Sequence, residues 1–452
     1  MEAILRAIAA DREAALEQLK TFLRIPSVSG DPARRGEVRR AAAWVADRLR
    51  GLGCRVEVLE TPGHPIVYGE WTGAPGRPTL LTYGHYDVQP EDPVDRWTSP
   101  PFEPAIREGA IYARGAADDK GQVFIHLKAA EAWLRTEGRL PLNLKFLIEG
   151  EEEVGSPNLE HFVAAEVGRL KADAVAISDT AMLAKGVPAL CVGLRGIVYC
   201  QVDLQGPATD LHSGIFGGSV ANPANVLCRL LARLTDEQGR VAIPGFYDDV
   251  RPLAPAERDA FAALPFDEGL YREALGVPAL DGEIGFTTLE RRWARPTFEV
   301  NGLHAGFTGV GSKTVLPALA MAKVSMRLVP DQDPDKIVEA FEAALRRLCP
   351  PSVSLSVTRM HGSRPWLMPT EHPAVQAAAR ALTRGFGRRP VFIREGGSIP
   401  IVTTLTERLG APILLLGFGL PDENAHAPDE RLDLDNFYRG ILTIAHLYRE
   451  LT

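Results

Sequence analysis

The chain has 452 residues. A single hydrophobic core of ordinary size does not organise a chain of this length, so the length predicts at least two domains. Hydrophobic residues make up 45% and charged residues 24% of the sequence, as is typical of a soluble globular protein. The 50 basic and 58 acidic residues give a net charge of −8, which argues against a nucleic-acid partner because such a partner favours a basic face.

No segment of the sequence has the pattern of a targeting signal or a membrane span. The first residues enter an amphipathic helical pattern, and no stretch approaches about 18 consecutive apolar residues. The five cysteines are scattered without a C-x-x-C pair, which predicts buried, reduced thiols rather than disulfides or a cysteine metal site. We therefore expect a cytoplasmic protein without a membrane partner, in which histidines and carboxylates hold any metal.

Hydrophobic periodicity predicts helices and strands along most of the chain. In chain order, they are helices at 1–24 and 35–52, strands at 54–60, 66–71 and 79–84, a helix at 119–136, a strand at 143–149, a helix at 158–169, a strand at 173–178, strands within 190–204, a helix at 221–235, strands within 314–329, a helix at 333–348, a strand at 353–359, a helix at 373–386, a strand at 390–394, a helix at 399–408, a strand at 411–416 and a helix at 433–451.

The alternation of strands and helices at both ends of the chain predicts an α/β domain with a helix-covered, mostly parallel sheet. The middle of the chain has a different texture, and 245–295 is rich in Pro, acidic residues and Arg with weak patterning. We therefore predict one α/β domain formed by 1–190 and 363–452 and interrupted by an inserted domain at 191–362.

His85 and Asp87 lie two residues apart at the end of the strand predicted at 79–84. Alternate residues of a strand face the same side, so the two side chains would point together from the strand end. Such a pair is usually a solvated turn. Beside further ligands, it is the arrangement of a metal-bound imidazole next to an acid.

Four further acidic or histidine clusters fall near strand ends, where parallel sheets place their sites. They are 114–121 with Asp118 and Asp119, 149–156 with three consecutive glutamates, Ser178-Asp179, and 424–427 with His426. Each also has a structural interpretation, such as a helix N-cap for an aspartate, a solvated loop for the glutamates, or a surface position for the histidine. Together, however, they crowd carboxylates at one sheet edge, where like charges repel unless cations neutralise them.

Two histidines and three carboxylates, one of them bridging, form the ligand set that two divalent ions need. Two ions about 3.5–4 Å apart could hold a hydroxide and polarise a carbonyl, with a neighbouring carboxylate as general base. Other classes lack their signatures: no G-x-G-x-x-G follows the first strands, and no G-x-S-x-G is present. A non-catalytic scaffold would be expected to lack a ligand or the base.

These motifs resemble those of the co-catalytic zinc aminopeptidase-like metallohydrolases, which include carnosinase, carboxypeptidase G, succinyl-diaminopimelate desuccinylase and aminoacylase. The resemblance runs from about 22 to 438, and is strongest to the cytosolic nonspecific dipeptidase/carnosinase branch. The segments that carry it are GHYDVQP at 84–90, ARGAADDKG at 113–121, EGEEEVGS at 149–156, ISD at 177–179, DLHSGIFGG at 210–218, GSKTVLP at 311–317, REGGSIP at 394–400 and NAH at 424–426. In this family, the inserted domain is a lid and dimerisation domain with an α+β fold.

The resemblance implies a site for two divalent ions, with Zn²⁺ as the first candidate and Mn²⁺ or Co²⁺ as alternatives. Its implied ligands are His85 and Asp179 for one ion, Glu153 and His426 for the other, and Asp118 as the bridge. In the family, the peptide bond after the bridging aspartate is cis.

The resemblance also implies the residues that support the metal ligands. Asp87 would orient the imidazole of His85. Glu152 would be the general base that takes a proton from the attacking water and passes it to the leaving amine. In this register, Glu151 is an outer, exposed acid.

For substrate binding, the resemblance implies residues of the inserted domain and of the segment after it. His212 would reach the active site of a partner subunit and stabilise the oxyanion, which makes a homodimer the active form. Arg327 and Ser398 would bind the substrate carboxylate, and Thr314 would contact the substrate. Asn301 and His372 are weaker candidates of the same kind.

The resulting hypothesis is a metallopeptidase that cleaves dipeptides or short peptides with a free C-terminal carboxylate. The alternative is an N-acyl-amino-acid deacylase or desuccinylase with the same metal site. The length of the inserted domain, about 170 residues, favours the dipeptidase branch by resemblance.

Overall fold

The computed structural model describes residues 1–452. The α-helices are α1 (Glu2–Ala10), α2 (Arg12–Leu23), α3 (Arg35–Gly51), α4 (Lys120–Glu137), α5 (Leu159–Ala165), α6 (Val167–Leu170), α7 (Ser213–Phe216), α8 (Pro223–Ala232), α9 (Pro255–Ala262), α10 (Glu268–Leu275), α11 (Thr288–Ala294), α12 (Pro334–Leu348), α13 (Pro373–Phe386), α14 (Pro400–Leu409) and α15 (Leu434–Glu450). No helix combines the length and the apolar character that crossing a bilayer requires.

The β-strands are β1 (Arg55–Leu59), β2 (Ile66–Trp71), β3 (Thr79–His85), β4 (Ala105–Arg107), β5 (Ala110–Tyr112), β6 (Asn143–Glu149), β7 (Ala174–Ile177), β8 (Ala189–Leu194), β9 (Gly196–Gln205), β10 (Leu211–His212), β11 (Thr297–Ala305), β12 (Val315–Leu316), β13 (Leu319–Leu328), β14 (Ser354–Ser363), β15 (Trp366–Leu367), β16 (Val391–Glu395), β17 (Ile413–Leu415) and β18 (Arg431–Asp433). Short 3-10 helices occupy Pro32–Arg34, Val94–Arg96 and Glu152–Val154.

The chain divides into two compact units. Unit 1 comprises Met1–Val192, Met368–Ile393 and Thr404–Thr452. Unit 2 comprises Gly193–Leu367 and Arg394–Thr403.

Unit 1 is built on a sheet with the strand order β1-β2-β6-β3-β7-β17-β8. Strands β6, β3, β7 and β17 are parallel neighbours, whereas β1, β2 and β8 join antiparallel. The parallel strands are almost entirely buried, which explains why they read as continuous apolar runs in the sequence. The predicted α/β class with a mostly parallel, helix-covered sheet is confirmed.

Helix α4 lies at the centre of the helical layer of unit 1. Most of its side chains are buried, and it packs against α1, α2, α15 and β3. An aromatic stack joins neighbouring helices through Phe22, Trp44, Phe124 and Phe437, with Phe22 and Trp44 stacked at 4.2 Å. Because α4 begins directly after Asp118 and Asp119, this packing fixes where the aspartates lie.

Unit 2 contains a four-stranded antiparallel sheet with the order β11-β13-β9-β14. Helices α8 and α12 bury apolar side chains against the inward residues of β9 and β13. The strict alternation of burial along β9 is the period-two pattern of a sheet with one covered face. A two-stranded ribbon, β10 with β12, also belongs to this unit.

The observed division of the chain differs from the predicted one in the segment Arg394–Thr403. The sequence places this segment in the second part of the α/β domain, whereas its contacts place it in unit 2. Arg394 forms an ion pair with Glu257, and the hydroxyl of Ser398 donates to the carbonyl of Arg195. Such partners are distant in sequence, so local periodicity does not reveal them.

Other differences concern individual elements. The predicted helix 1–24 is two helices, because Asp11 leaves helical geometry and its carboxylate pairs with Lys128 at 2.6 Å. Helices α9 to α11 and strand β11 were not predicted. Of these, α10 and β11 are largely exposed, and an element without a buried face needs no hydrophobic periodicity. The prediction of buried cysteines is wrong for Cys228, which is exposed, whereas Cys191 and Cys200 are buried.

Candidate metal centre

The predicted ligands of unit 1 and the predicted general base, Glu152, gather at the carboxyl ends of its parallel strands. His85 is the last residue of β3, and Asp179 follows β7 by two residues. Glu152 and Glu153 begin the 3-10 turn after β6, and His426 lies in the loop after β17. Parallel strands bring all their carboxyl ends to one edge, so distant segments of the sequence meet there.

Asp118 lies between the two histidines. One carboxylate oxygen, Oδ1, is 3.0 Å from His85 Nε2, and the other, Oδ2, is 2.9 Å from His426 Nε2. Each oxygen therefore faces a different imidazole. This is the geometry that a carboxylate shared by two cations requires.

The remaining carboxylates divide between the two sides of Asp118. Asp179 Oδ2 is 3.9 Å from His85 Nε2, and Glu153 Oε2 is 3.2 Å from His426 Nε2. Donor atoms of His85, Glu152 and Asp179 lie within 4.8 Å of one another, as do those of His85, Asp118 and Glu153. These nitrogen and oxygen donors suit divalent zinc, manganese or cobalt, so the residues present fit a metal centre.

The electrostatics of the cluster agree with a site for cations. Burial raises the pKa of Glu152 to about 9, and the carboxylates of Asp179 and Asp118 add to the rise. Burial and the neighbouring Asp118 raise the pKa of Asp179 to about 7. Hydrogen bonds to Asp118 and Glu153 raise the pKa of His426 to about 10. Divalent cations would reverse these shifts, because they stabilise ionised carboxylates and neutral imidazoles.

Asp87 is fully buried and contacts both His85 and the glutamate turn. Its Oδ1 is 3.4 Å from His85 Nδ1, and its backbone carbonyl is 3.1 Å from the same nitrogen. Its carboxylate also accepts hydrogen bonds from the backbone N–H groups of Glu152 (3.3 Å) and Glu153 (3.1 Å). The residue thus holds an imidazole and a carboxylate-bearing turn together.

Glu151 is not the exposed acid that the sequence predicts, and this expectation is wrong. Its exposed fraction is 6%, and its carboxylate accepts a hydrogen bond from Asn158 Nδ2 at 2.8 Å and one from Thr61 Oγ1 at 3.4 Å. The tight turn after Glu151 points successive side chains in different directions. Glu151 therefore faces other loops, whereas Glu152 and Glu153 face the candidate metal-binding cluster.

The pair Asp118-Asp119 does not cap helix α4 with a side chain. Asp119 occupies the N-cap position without a side-chain capping hydrogen bond, and its Oδ2 accepts the backbone N–H of His85 at 3.2 Å. The peptide bond between the two aspartates is cis, as the resemblance implies. Asp119 therefore stands at the N-cap position, as the structural alternative expects, but its side chain does not cap the helix.

One buried acid beside the centre was missed by the sequence analysis. Glu430 has an exposed fraction of 0% and accepts hydrogen bonds from Arg114 and from backbone groups of the Asp118 segment. Its partners are more than 300 positions away, and no periodicity or spacing marks it. Only its proximity to the NAH motif could have drawn attention to it.

The predicted substrate-binding residues lie in unit 2, where they form two pairs. His212 in β10 is exposed and pairs with Val315 of β12. Thr314 precedes Val315 in the chain, and its carbonyl accepts the N–H of Ser213 at 3.0 Å. Arg327 Nη1 donates to Ser398 Oγ at 3.0 Å. Burial lowers the pKa of Arg327.

The two weaker candidates do not join these pairs. His372 caps helix α13, because its Nδ1 accepts the N–H of Ala374 at 3.2 Å. Asn301 lies at an irregularity in the pairing of β11, between Val300 and Gly302. Both positions have local structural explanations.

Comparison with known proteins identifies relatives over nearly the whole chain. The model of Peptidase family M20/M25/M40 matches residues 81–450. Cys-Gly metallodipeptidase dug1 of Schizosaccharomyces pombe is 35% identical over 450 residues, covering 96% of this chain and 94% of that protein. Beta-Ala-His dipeptidase of Homo sapiens is 31% identical over 469 residues, covering 100% of this chain and 92% of that protein.

Solved structures give the same result. The di-peptidase Dug1p from Saccharomyces cerevisiae superposes with a TM-score of 0.83 at 32% identity, covering 100% of this chain and 98% of that one. The M20 family metallo-carboxypeptidase Sso-CP2 from Sulfolobus solfataricus has a TM-score of 0.86 at 34% identity, covering 97% of this chain and 99% of that one. The predicted resemblance is confirmed: the chain belongs to peptidase family M20/M25/M40 and is a peptide hydrolase similar to its dipeptidase branch.

Proposed function

We propose that this chain hydrolyses the peptide bond of dipeptides that carry a free C-terminal carboxylate, with two divalent ions in the centre described above. The observation that carries the proposal is the position of Asp118, whose two oxygens face His85 and His426. His85, Asp118 and Asp179 would hold one ion, and Asp118, Glu153 and His426 the other. When bound, the ions would lower the pKa of the attacking water and polarise the substrate carbonyl.

Glu152 is the proposed general base. Its donor oxygen lies within 4.8 Å of the donor atoms of His85 and Asp179, which places it beside the proposed ion site where the water would be activated. It takes the proton from the attacking water and delivers it to the leaving amine. Asp87 keeps the base in place, because it accepts the backbone N–H of Glu152 while contacting His85.

The substrate carboxylate is assigned to Arg327 and Ser398. A guanidinium that is partly buried in strand β13 provides directed N–H donors for a carboxylate, and Ser398 Oγ orients it. We assign the oxyanion to His212 of a partner subunit in a homodimer, and a substrate contact to Thr314. Zn²⁺ is the proposed ion, with Mn²⁺ and Co²⁺ as alternatives. A cytoplasmic location is also proposed, and the free cysteines support it.

The test is a substrate panel assayed after removal of metal. Chelation should abolish hydrolysis of dipeptides, and Zn²⁺, Mn²⁺ or Co²⁺ should restore it. The panel contains dipeptides, the same dipeptides with a C-terminal amide, and N-acyl amino acids. Dipeptides should be cleaved and their amides poorly, because the amide lacks the charge that Arg327 binds.

Two outcomes would contradict the proposal. Full activity of metal-free protein would overturn the two-ion mechanism. Preference for N-acyl amino acids over all dipeptides would assign the chain to the deacylase alternative.

A further inference from the structure

Glu430 is a fully buried carboxylate whose oxygens accept four hydrogen bonds. Oε2 accepts from Arg114 Nη1 (2.8 Å) and from the backbone N–H of Gly115 (2.8 Å). Oε1 accepts from the backbone N–H groups of Ala117 (2.9 Å) and Asp118 (3.1 Å). The side chain therefore holds the backbone of the segment that ends in the bridging aspartate.

Only a carboxylate meets this set of donors. Each carboxylate oxygen has two acceptor sites, and both oxygens are fully used here. A glutamine would present one oxygen and one NH₂ group, so two of the four donors would face another donor. The charge also matters, because Arg114 is 1% exposed and Glu430 is its ionic partner.

The short segment that contains Glu430 also carries a predicted metal ligand, His426. Glu430 follows His426 by four residues, and β18 after it pairs with β5, which leads into Arg114. The carbonyl of Glu430 accepts the N–H of Ala113 at 3.1 Å. The segments of Asp118 and His426 are thus joined in register by a strand pair and by one side chain.

The backbone of the loop from Asn424 to Asp429 requires such an anchor. Asn424, His426 and Asp429 have φ values of 56°, 62° and 59°, in the left-handed region that costs energy for residues other than glycine. Asp429 is fixed on its outer side, because its carboxylate accepts hydrogen bonds from the N–H (3.0 Å) and hydroxyl (2.6 Å) of Thr98. Glu430 fixes the loop on the side of Asp118.

We propose that Glu430 is a positioning residue that holds Asp118 and His426 at the separation the two cations need, and so sets the metal affinity of the centre. The inference rests on the proposed function of that centre. A purely structural ion pair would stabilise the fold without changing the metal affinity of the folded protein. The two roles are therefore separable by measurement.

The experiment titrates chelator-stripped protein with Co²⁺ and records the visible spectrum, the affinity in competition with a chelator, and the melting temperature of the metal-free protein. Glu430→Gln should weaken Co²⁺ binding by at least about 10-fold and alter the spectrum of the bound ion. After reloading, kcat should fall while KM stays within about two-fold.

The matched control is Glu283→Gln in unit 2. Glu283 forms a buried ion pair with Arg295 through two hydrogen bonds of 2.7 Å, remote in sequence from the metal ligands. This variant should lower the melting temperature and leave Co²⁺ affinity within about two-fold of wild type. A loss of Co²⁺ affinity in Glu283→Gln equal to that in Glu430→Gln would overturn the proposal.

Wild-type Co²⁺ affinity and spectrum in folded Glu430→Gln would also overturn it. If Glu430→Gln does not fold, Arg114→Lys is the variant that tests the proposal, because it keeps the positive charge and removes the guanidinium fork. Its Co²⁺ binding should weaken several-fold, and unchanged Co²⁺ binding would contradict the proposal.

Asp118→Asn separates this inference from the proposed function. If that variant binds two Co²⁺ ions like wild type, the two-ion centre itself is wrong, and this inference is wrong with it.

Discussion

Glu151, Glu152 and Glu153 are consecutive in the sequence but face three different surroundings. Glu151 is buried against Asn158, and Glu153 lies 3.2 Å from His426 Nε2. Glu152 lies between them in the sequence and points to His85 and Asp179, on the other side of Asp118. Chemical identity therefore does not decide the role of each carboxylate; the direction in which the turn points it does.

Replacing the proposed base by its neutral isostere tests this assignment. Glu152→Gln should lower kcat by at least about 10²-fold while both ions stay bound, because the amide accepts no proton. Kinetics on dipeptides and metal analysis of the same sample measure both quantities. Glu151→Gln is the matched control and should keep most of the activity, so a larger loss of kcat in Glu151→Gln would show that the register is wrong.

Glu423 provides a prediction about stability and pH at a residue that is not itself a predicted metal ligand. It is 2% exposed; its Oε1 accepts the N–H of Asp433, and its Oε2 has no hydrogen-bond partner. Burial raises its pKa from 4.5 to about 8, although backbone hydrogen bonds at Asp433 and Leu420 oppose the rise; the charge of Asp433 adds to it and that of Arg431 opposes it. The folded protein therefore binds a proton that the unfolded chain releases, so stability falls as pH rises from about 4.5 through about 8.

Glu423→Gln should remove this loss, because glutamine stays neutral at every pH. Near pH 5 the free energy of unfolding should match wild type, and near pH 9 the variant should be more stable by about 1–3 kcal/mol. Urea unfolding across this pH range measures the difference. Glu237→Gln, at an exposed position, should show no such trend, and a constant difference between Glu423→Gln and wild type would contradict the argument.

At the scale of elements, the first turn of α4 and the loop before it are packed without spare space. A Cβ on Gly121 would lie 2.0 Å from the carbonyl oxygen of Ala116 and 2.6 Å from Leu432 Cδ2. The carbonyl is backbone and cannot rotate away. The glycine is therefore required for helix α4 to begin so close to the segment of Asp118.

Gly121→Ala should move this segment and weaken both folding and metal binding. We expect a loss of about 1–3 kcal/mol in the free energy of unfolding, from overpacking. Gly168→Ala in α6 is the control, because a Cβ there meets nothing within 4 Å, and alanine favours a helix. Urea unfolding measures the stability of both variants, and metal analysis measures the metal that each binds. Equal stability of the two variants would contradict the packing argument.

At the scale of the whole molecule, the candidate metal centre and the proposed substrate-binding residues belong to different units. His85, Asp118 and Asp179 lie in unit 1, whereas His212 and Arg327 lie in unit 2. The proposed homodimer assigns His212 of one copy to the site of the other, and this assignment needs a test of its own.

Subunit mixing tests whether His212 acts in a partner's site. Inactive Glu152→Gln and inactive His212→Ala dimers, mixed under subunit exchange, should recover about a quarter of wild-type activity, because half of the dimers are hybrids with one intact site. Glu152→Gln mixed with Asp118→Asn should recover nothing, since both lesions lie in unit 1. No recovery in the first mixture, with exchange demonstrated by labelled subunits, would contradict the trans assignment.

The sequence by itself determined the α/β class, the family and the short motifs, because each depends on local patterns. Buried parallel strands give continuous apolar runs, and residues at strand ends, such as His85 and Asp179, must meet at one edge. The largely exposed elements α10 and β11 left little pattern and were missed.

Only the tertiary structure decided the surroundings of individual side chains. It placed Glu151 against Asn158 and Thr61 rather than in the candidate metal cluster, assigned Arg394–Thr403 to unit 2, and joined Glu430 to the segment of Asp118 across more than 300 residues. The physical reason is that burial, charge and hydrogen bonding act through space, whereas sequence periodicity records only which face of an element is covered.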